Sequence, residues 1–240
     1  MRPGAIVSRR LAVLLSTGAW VGLRPGASRA DGPRVDATSH MYDSYAPTYD
    51  ALDGGLAASR LGFDELRRVA CARAHGAVLE VGAGTGLNLP LYDWSRVRSL
   101  VALDASSGML DVARARADGL GLAGKVTFAR GDVAALPFDD GTFDVVLDTF
   151  SLCVFADPIA AMAEMRRVLA PSGTIIAVEH QRADGLLGAY QDLTEPLVTP
   201  RSKGCVWNQD VRAIARRAGC REVEARDSLA GTVVSLVLQR

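Results

Sequence analysis

The stretch Ala77-Val78-Leu79-Glu80-Val81-Gly82-Ala83-Gly84-Thr85-Gly86 constrains this 240-residue chain more than any other, because an apolar run passes straight into three glycines at alternate positions. An apolar run bounded by turn residues reads as a buried strand. Glycines without Cβ let the backbone turn sharply and approach a ligand closely. The residues from Leu87 onward would then offer amide donors at a helix N-terminus, which favours an anion. A dinucleotide fingerprint needs its third glycine three positions after the second, and that place holds Leu87, with Gly86 one step early. The motif therefore argues against a nicotinamide dinucleotide. Glu80 suits a ligand bearing an ammonium group, and so compact a turn suits a carboxylate better than a pyrophosphate.

Further along, Leu100-Val101-Ala102-Leu103-Asp104 is a second apolar run ending in an acid, at about the distance where Rossmann-like folds hold a ribose diol. A carboxylate accepts from two vicinal hydroxyls, so Asp104 is the expected ribose ligand. Ser106 to Leu110 open a helix. Val126 to Ala129 leads into Gly131-Asp132-Val133, and Phe143 to Asp148 is a fourth strand. Each of Asp104, Asp132 and Asp148 could equally cap a helix. The repeated order of strand, turn, helix and strand with short connections outweighs that reading.

Glu80 to Gly86 resembles motif I of the class I S-adenosylmethionine-dependent methyltransferases, and the later segments follow in that family's order from about Tyr42 to Glu179. The resemblance implies a Rossmann-like α/β fold: a seven-stranded, mostly parallel sheet with a C-terminal antiparallel hairpin and helices on both faces. It implies S-adenosyl-L-methionine as cofactor, held by Glu80, Gly82, Ala83, Gly84, Gly86, Asp104, Ala105, Met109, Asp132, Val133, Asp148 and Tyr49. Tyr49 belongs to the segment Met41 to Leu52, which is similar to the helical lid of ubiquinone and menaquinone C-methyltransferases; Tyr42, Tyr45 and Asp50 are its other candidates. The segment Phe150-Ser151-Leu152-Cys153, the strand end Glu179-His180 and Gly204 to Asn208 resemble the group that includes lipid-associated thiol methyltransferases. His180 is the expected general base, since imidazole titrates nearest neutrality. A noncatalytic cofactor-binding module and a nucleotide-dependent oxidoreductase are the alternatives from other classes.

Periodicity places helices over Ala57 to Ala74, with a basic outer face expected to be solvated, over Pro158 to Leu169 and over Gln209 to Ala218, and closing strands near Glu222 to Ala225 and Thr232 to Gln239. Gln181 to Gly204 reads as a long connection whose Leu186, Leu187, Tyr190, Leu193, Leu197 and Val198 wall a hydrophobic pocket for a small-molecule acceptor. Cys71, Cys153, Cys205 and Cys220 show no metal-ligand spacing, and no metal is implied. Cys71 and Cys220 are expected on helices.

Net charge is zero, but Arg2, Arg9, Arg10, Arg24 and Arg29 lie in the first thirty residues without an acid, leaving 22 basic against 27 acidic residues. No basic stripe with interleaved aromatics suggests nucleic acid as a partner. Residues 1–35 have the layout of a targeting leader: Arg9-Arg10, an uncharged run from Leu11 to Leu23, and small residues up to Ala30. The twin arginine is similar to export and thylakoid signals, with membrane association through an uncleaved leader as the alternative. The remaining 36–240 is expected to form one domain, with peripheral membrane contact possible and no oligomeric state implied.

Overall fold

A computed structural model describes residues 37–53 and 60–240. The expected leader lies outside the described residues. Seven strands form one sheet: β1 (Gly76–Val81), β2 (Val97–Asp104), β3 (Val126–Arg130), β4 (Phe143–Thr149), β5 (Leu169–His180), β6 (Arg221–Ser228) and β7 (Val233–Gln239). Their spatial order is β3-β2-β1-β4-β5-β7-β6. The pairs from β3 through β5 are parallel and β7 is antiparallel to both β5 and β6. The order reverses between β1 and β2 on one side and β4 on the other, which opens a crevice at the carboxyl ends of the strands.

Seven α-helices accompany the sheet among the described residues: α1 (Ala37–Tyr45), α2 (Tyr49–Asp53), α3 (Phe63–Cys71), α4 (Ser107–Gly119), α5 (Pro158–Val168), α6 (Gly185–Val198) and α7 (Val211–Arg217). Alternation along the central strands feeds two cores. Leu79 and Val81 join Met162 and Met165 of α5 and Ile214 of α7 on one face. Val78 packs with Ala70 and Cys71 of α3 and Ala117 of α4 on the other. A strand buried on both faces is apolar through its middle, which is why β1 and β4 carry the apolar stretches Ala77-Val78-Leu79 and Val145-Val146-Leu147 before their acids at the carboxyl ends.

Arg167 of α5 fixes the connection between β3 and β4. It donates to Glu164, Asp140 and the carbonyls of Leu136 and Phe138 at 2.6–3.0 Å.

Several expected boundaries move. The helix expected over Ala57 to Ala74 is described as α3, with residues 54–59 outside the described residues. Cys71 ends α3, but Cys220 lies in the turn between α7 and β6. Strand β6 runs Arg221–Ser228, longer than the expected Glu222 to Ala225. The supposed structureless connection after β5 contains the 14-residue α6. The side chain of Gln191, fully buried, pins α6: Ala183 N–H donates to its Oε1, and its Nε2 donates to the carbonyls of Gln181 and Trp207. Because this polar face turns inward, Leu186, Tyr190, Leu193 and Leu197 turn outward, with Leu186 91% and Leu193 78% exposed. None of them lines the cavity at the strand ends; Tyr190, Leu197 and Val198 instead line a separate depression of about 460 Å³ with Arg201 and Ser202, and Leu186 and Leu193 line neither. No helix among the described residues is long and apolar enough to cross a membrane.

Candidate cofactor and acceptor site

A cavity of about 260 Å³ opens at the carboxyl ends of β1, β2 and β4. It is lined by Glu80, Gly82, Ala83, Gly84, Asp104, Ala105, Met109, Asp132, Val133 and Tyr49 of the expected cofactor set, but not by Gly86, Asp148 or His180. Tyr42, Arg67, Asn88, Thr149, Phe150, Ser151, Val154 and Phe155 are among the other residues of its wall.

The glycine turn is shaped by its neighbours. Gly82 has φ 59°, and a Cβ there would sit 2.4 Å from Ser151 Oγ. Gly84 has φ 54°, yet a Cβ there would meet nothing nearer than the Gly82 carbonyl oxygen at 3.9 Å. Gly84 therefore keeps space clear on the cavity side, as a cradle for a closely approaching ligand requires.

Asp104 closes the end of β2. Its Oδ2 accepts from Gly84 N–H and its Oδ1 from Ser106 N–H, both at 2.8 Å. A carboxylate has about four acceptor sites, so both oxygens retain capacity for hydroxyl donors. Burial raises the Asp104 carboxyl above the usual aspartate range, against the pull of these amides. Asp132 caps the short helix Val133–Ala135, its Oδ1 accepting from Ala134 N–H at 2.8 Å, and it also lines the cavity.

Glu80 is buried inside a polar network. Its Oε1 accepts from Asn88 Nδ2 at 2.9 Å and its Oε2 from Tyr92 OH at 2.7 Å. Asn88 also donates to Thr149 Oγ1 at 3.0 Å, and Arg67 Nη1 donates to the same hydroxyl at 2.8 Å. Burial pushes the Glu80 carboxyl up to about 7, against its hydrogen bonds and the Arg67 charge. The native protein therefore retains a proton that the unfolded chain has released, and this site's contribution to stability falls as pH rises from about 4.5 to about 7. A shift of that size corresponds to ~3 kcal/mol. Thermal melts across this window are expected to show the decline, and Glu80→Gln to flatten it; an unchanged slope would mean that Glu80 ionises freely.

Arg67 was missed by sequence reasoning, which placed the charges of its helix in solvent. It faces the cavity from α3, its guanidinium 4.9 Å from the Phe150 ring centroid, and no carboxylate among the described residues pairs with it. A cationic donor and an acid thus flank the glycine turn together.

The lid segment is stitched over the site. Asp43 Oδ1 of α1 accepts from Ser106 Oγ at 2.6 Å and Gly108 N–H at 2.9 Å. Asp50 of α2 accepts from Thr85 Oγ1 and pairs with Arg116. Lys203 Nζ lies 4.8 Å from the Tyr49 ring centroid.

Asp148 and His180 sit deeper. Asp148 accepts from the cavity-lining Ser151 hydroxyl and lies beside buried Glu179; burial raises both carboxyls. His180, at the end of β5, packs 5.2 Å from Phe150 and 5.9 Å from Phe63, ring centroid to centroid. Phe150, with φ 58°, stands between His180 and the cavity. That left-handed backbone is costly for a bulky residue, and it is held by Phe150 N–H donating to Val178 O at 2.8 Å.

A family model described as a methyltransferase domain matches residues 79–177. The demethylmenaquinone methyltransferase of Deinococcus radiodurans is 38% identical over 172 residues, covering 69% of each chain. The phosphatidylethanolamine N-methyltransferase of Cereibacter sphaeroides is 36% identical over 159 residues, covering 65% of this chain and 75% of that protein. Across the first four demethylmenaquinone methyltransferases matched, this chain spans 60% to 69% of their length. Among solved structures, an O-methyltransferase family protein from Burkholderia thailandensis has a TM-score of 0.66 at 18% identity, covering 88% of this chain and 65% of that one, a likeness of fold.

Proposed function

Because the chain belongs to the class I S-adenosylmethionine-dependent methyltransferases, we propose that its cavity binds S-adenosylmethionine and delivers the methyl group to a small hydrophobic acceptor. The observation that carries this reading is the convergence of Asp104, the cleared space at Gly84, Glu80 and Arg67 on one cavity. When bound, the cofactor supplies a sulfonium methyl for in-line displacement by a nucleophile. Asp104 accepts from the ribose hydroxyls, Asp132 and Met109 border the base, Glu80 faces the ammonium and Arg67 faces the carboxylate. Gly82 and Gly84 allow the backbone close to the ligand. Gly86 and Asp148 support the turn and the strand end from outside the cavity.

The acceptor end is walled by Phe150, Val154 and Phe155. These side chains suit an apolar body such as a quinol, a lipid or a hydrophobic thiol, and the relatives that methylate demethylmenaquinone and phosphatidylethanolamine support that class. Alignment of nucleophile, methyl and sulfur can supply several kcal/mol by itself. The general-base role for His180 gains no support from a ring screened by Phe150. Turnover with a panel of quinols, phenols, thiols and phospholipids tests the reading; methylation of a polar acceptor alone would contradict it.

The outward stripe Leu186, Tyr190, Leu193 and Leu197 on α6 supports contact with a lipid surface from which such an acceptor is drawn. A Leu186→Glu/Leu193→Glu variant is expected to lose about 100-fold or more of its partitioning onto phospholipid vesicles, at ~1.5 kcal/mol or more for each of the two leucines, with an unchanged melting temperature. Equal partitioning would remove this face from the account.

A further inference from the structure

Cys153, His180 and Cys205 are widely separated in the chain, yet the fold gathers them. Cys153 lies in the short helical turn Leu152–Val154 after β4, His180 ends β5, and Cys205 follows α6. Cys205 Sγ is 3.1 Å from Cys153 Sγ and 3.5 Å from His180 Nδ1. A sulfur from each cysteine and a ring nitrogen all lie within 4.8 Å of one another.

Backbone contacts fix this arrangement. Val206 N–H donates to Cys153 O at 2.9 Å, and the hydroxyls of Thr199 and Ser202 donate to Cys205 O at 3.1 and 3.2 Å. His180 is in register with Val233 of β7, and its ring is wedged against Phe63 and Phe150. The three side chains therefore converge from three rigidly placed elements.

Tetrahedral zinc, with bonds of about 2.3 Å to sulfur and about 2.1 Å to nitrogen, sets sulfur–sulfur separations near ~3.8 Å and sulfur–nitrogen separations near ~3.5 Å. The Cys205–His180 distance already meets this, and the two sulfurs need to part by ~0.7 Å, a small side-chain rotation. The surroundings favour a cation. The buried acids Asp148 and Glu179 lie within electrostatic reach of Cys153.

We propose that Cys153, His180 and Cys205 form a binding site for a thiophilic divalent cation, zinc foremost. Thiolate and imidazole select zinc over magnesium or calcium. Three protein ligands leave a fourth position for water or another donor, the pattern of open rather than closed zinc sites. Phe150, which touches His180, and Val154, which follows Cys153, both line the cofactor cavity, so the cation would sit behind its acceptor wall. His180 is then a ligand and not a base. This site stands on the cluster's own geometry, apart from the identity of the acceptor.

The test is metal binding by the reduced, chelator-treated protein. Zinc is titrated in competition with a chromophoric chelator, and cobalt is added to read the thiolate-to-cobalt charge-transfer band. One equivalent of zinc and a cobalt band are expected in the wild type. Cys205→Ser and His180→Gln, neither in the deepest core, should each weaken zinc binding at least ~10-fold, since even outer-shell changes cost that much; Cys205→Ser should also lose the band's intensity. No saturable uptake, or the same uptake in both variants, would overturn the proposal. So would a Cys153–Cys205 disulfide, found by mass spectrometry before reduction, in a protein that takes up no metal once reduced.

Discussion

Asp104→Asn is expected to weaken S-adenosylmethionine binding by at least ~100-fold, because two charge-assisted hydrogen bonds to the ribose, about 1.5–3 kcal/mol each, lose their charge and one of them its acceptor. The same carboxylate anchors the glycine turn through Gly84 N–H and the start of α4 through Ser106 N–H. Asparagine keeps one acceptor oxygen for these amides, so the variant is expected to melt a few degrees lower but to fold. Calorimetric affinity and a thermal melt on the same sample separate the two effects. A folded variant with unchanged affinity would mean that the ribose does not lie at the end of β2.

Arg67→Met is expected to weaken S-adenosylmethionine binding by about 10- to 100-fold, the worth of one partly buried hydrogen bond between charged groups. It should leave 5′-methylthioadenosine, which has no amino-acid carboxylate, bound as in the wild type. This split is the informative readout, because Arg67 also donates to Thr149 Oγ1 at 2.8 Å and a purely structural role would reduce both affinities together. Parallel losses would assign Arg67 to the polar network around Glu80 alone.

The parallel half of the fold was legible because the middles of β1, β2 and β4 are buried on both faces and so read as short apolar stretches, each running to an acid and a turn. The positions of Asp104 and Asp132 followed from the same alternation. Helix α6 was not legible: Gly185, Gly188 and Pro196 are all unfavourable to a helix, and the buried Gln191 that anchors it looks on paper like a solvent-facing residue. The outward leucines of α6 were misassigned for the same reason, since periodicity identifies a stripe but not the side on which the core lies. Arg67 was hidden because a charge on an amphipathic helix is solvated by default, and only the packing of α3 beside β4 and β5 turns it toward the crevice. The Cys153–His180–Cys205 cluster has no local spacing signal at all; it arises from β4, β5 and the turn after α6 meeting at the carboxyl edge of the sheet.

The central claim is that the cavity is a site for S-adenosylmethionine. Calorimetric titration of the protein in parallel with S-adenosylmethionine, S-adenosylhomocysteine and NAD tests it most directly. The account predicts saturable one-to-one binding of the first two and none of NAD. Binding of NAD, or of neither sulfur nucleoside, would contradict it.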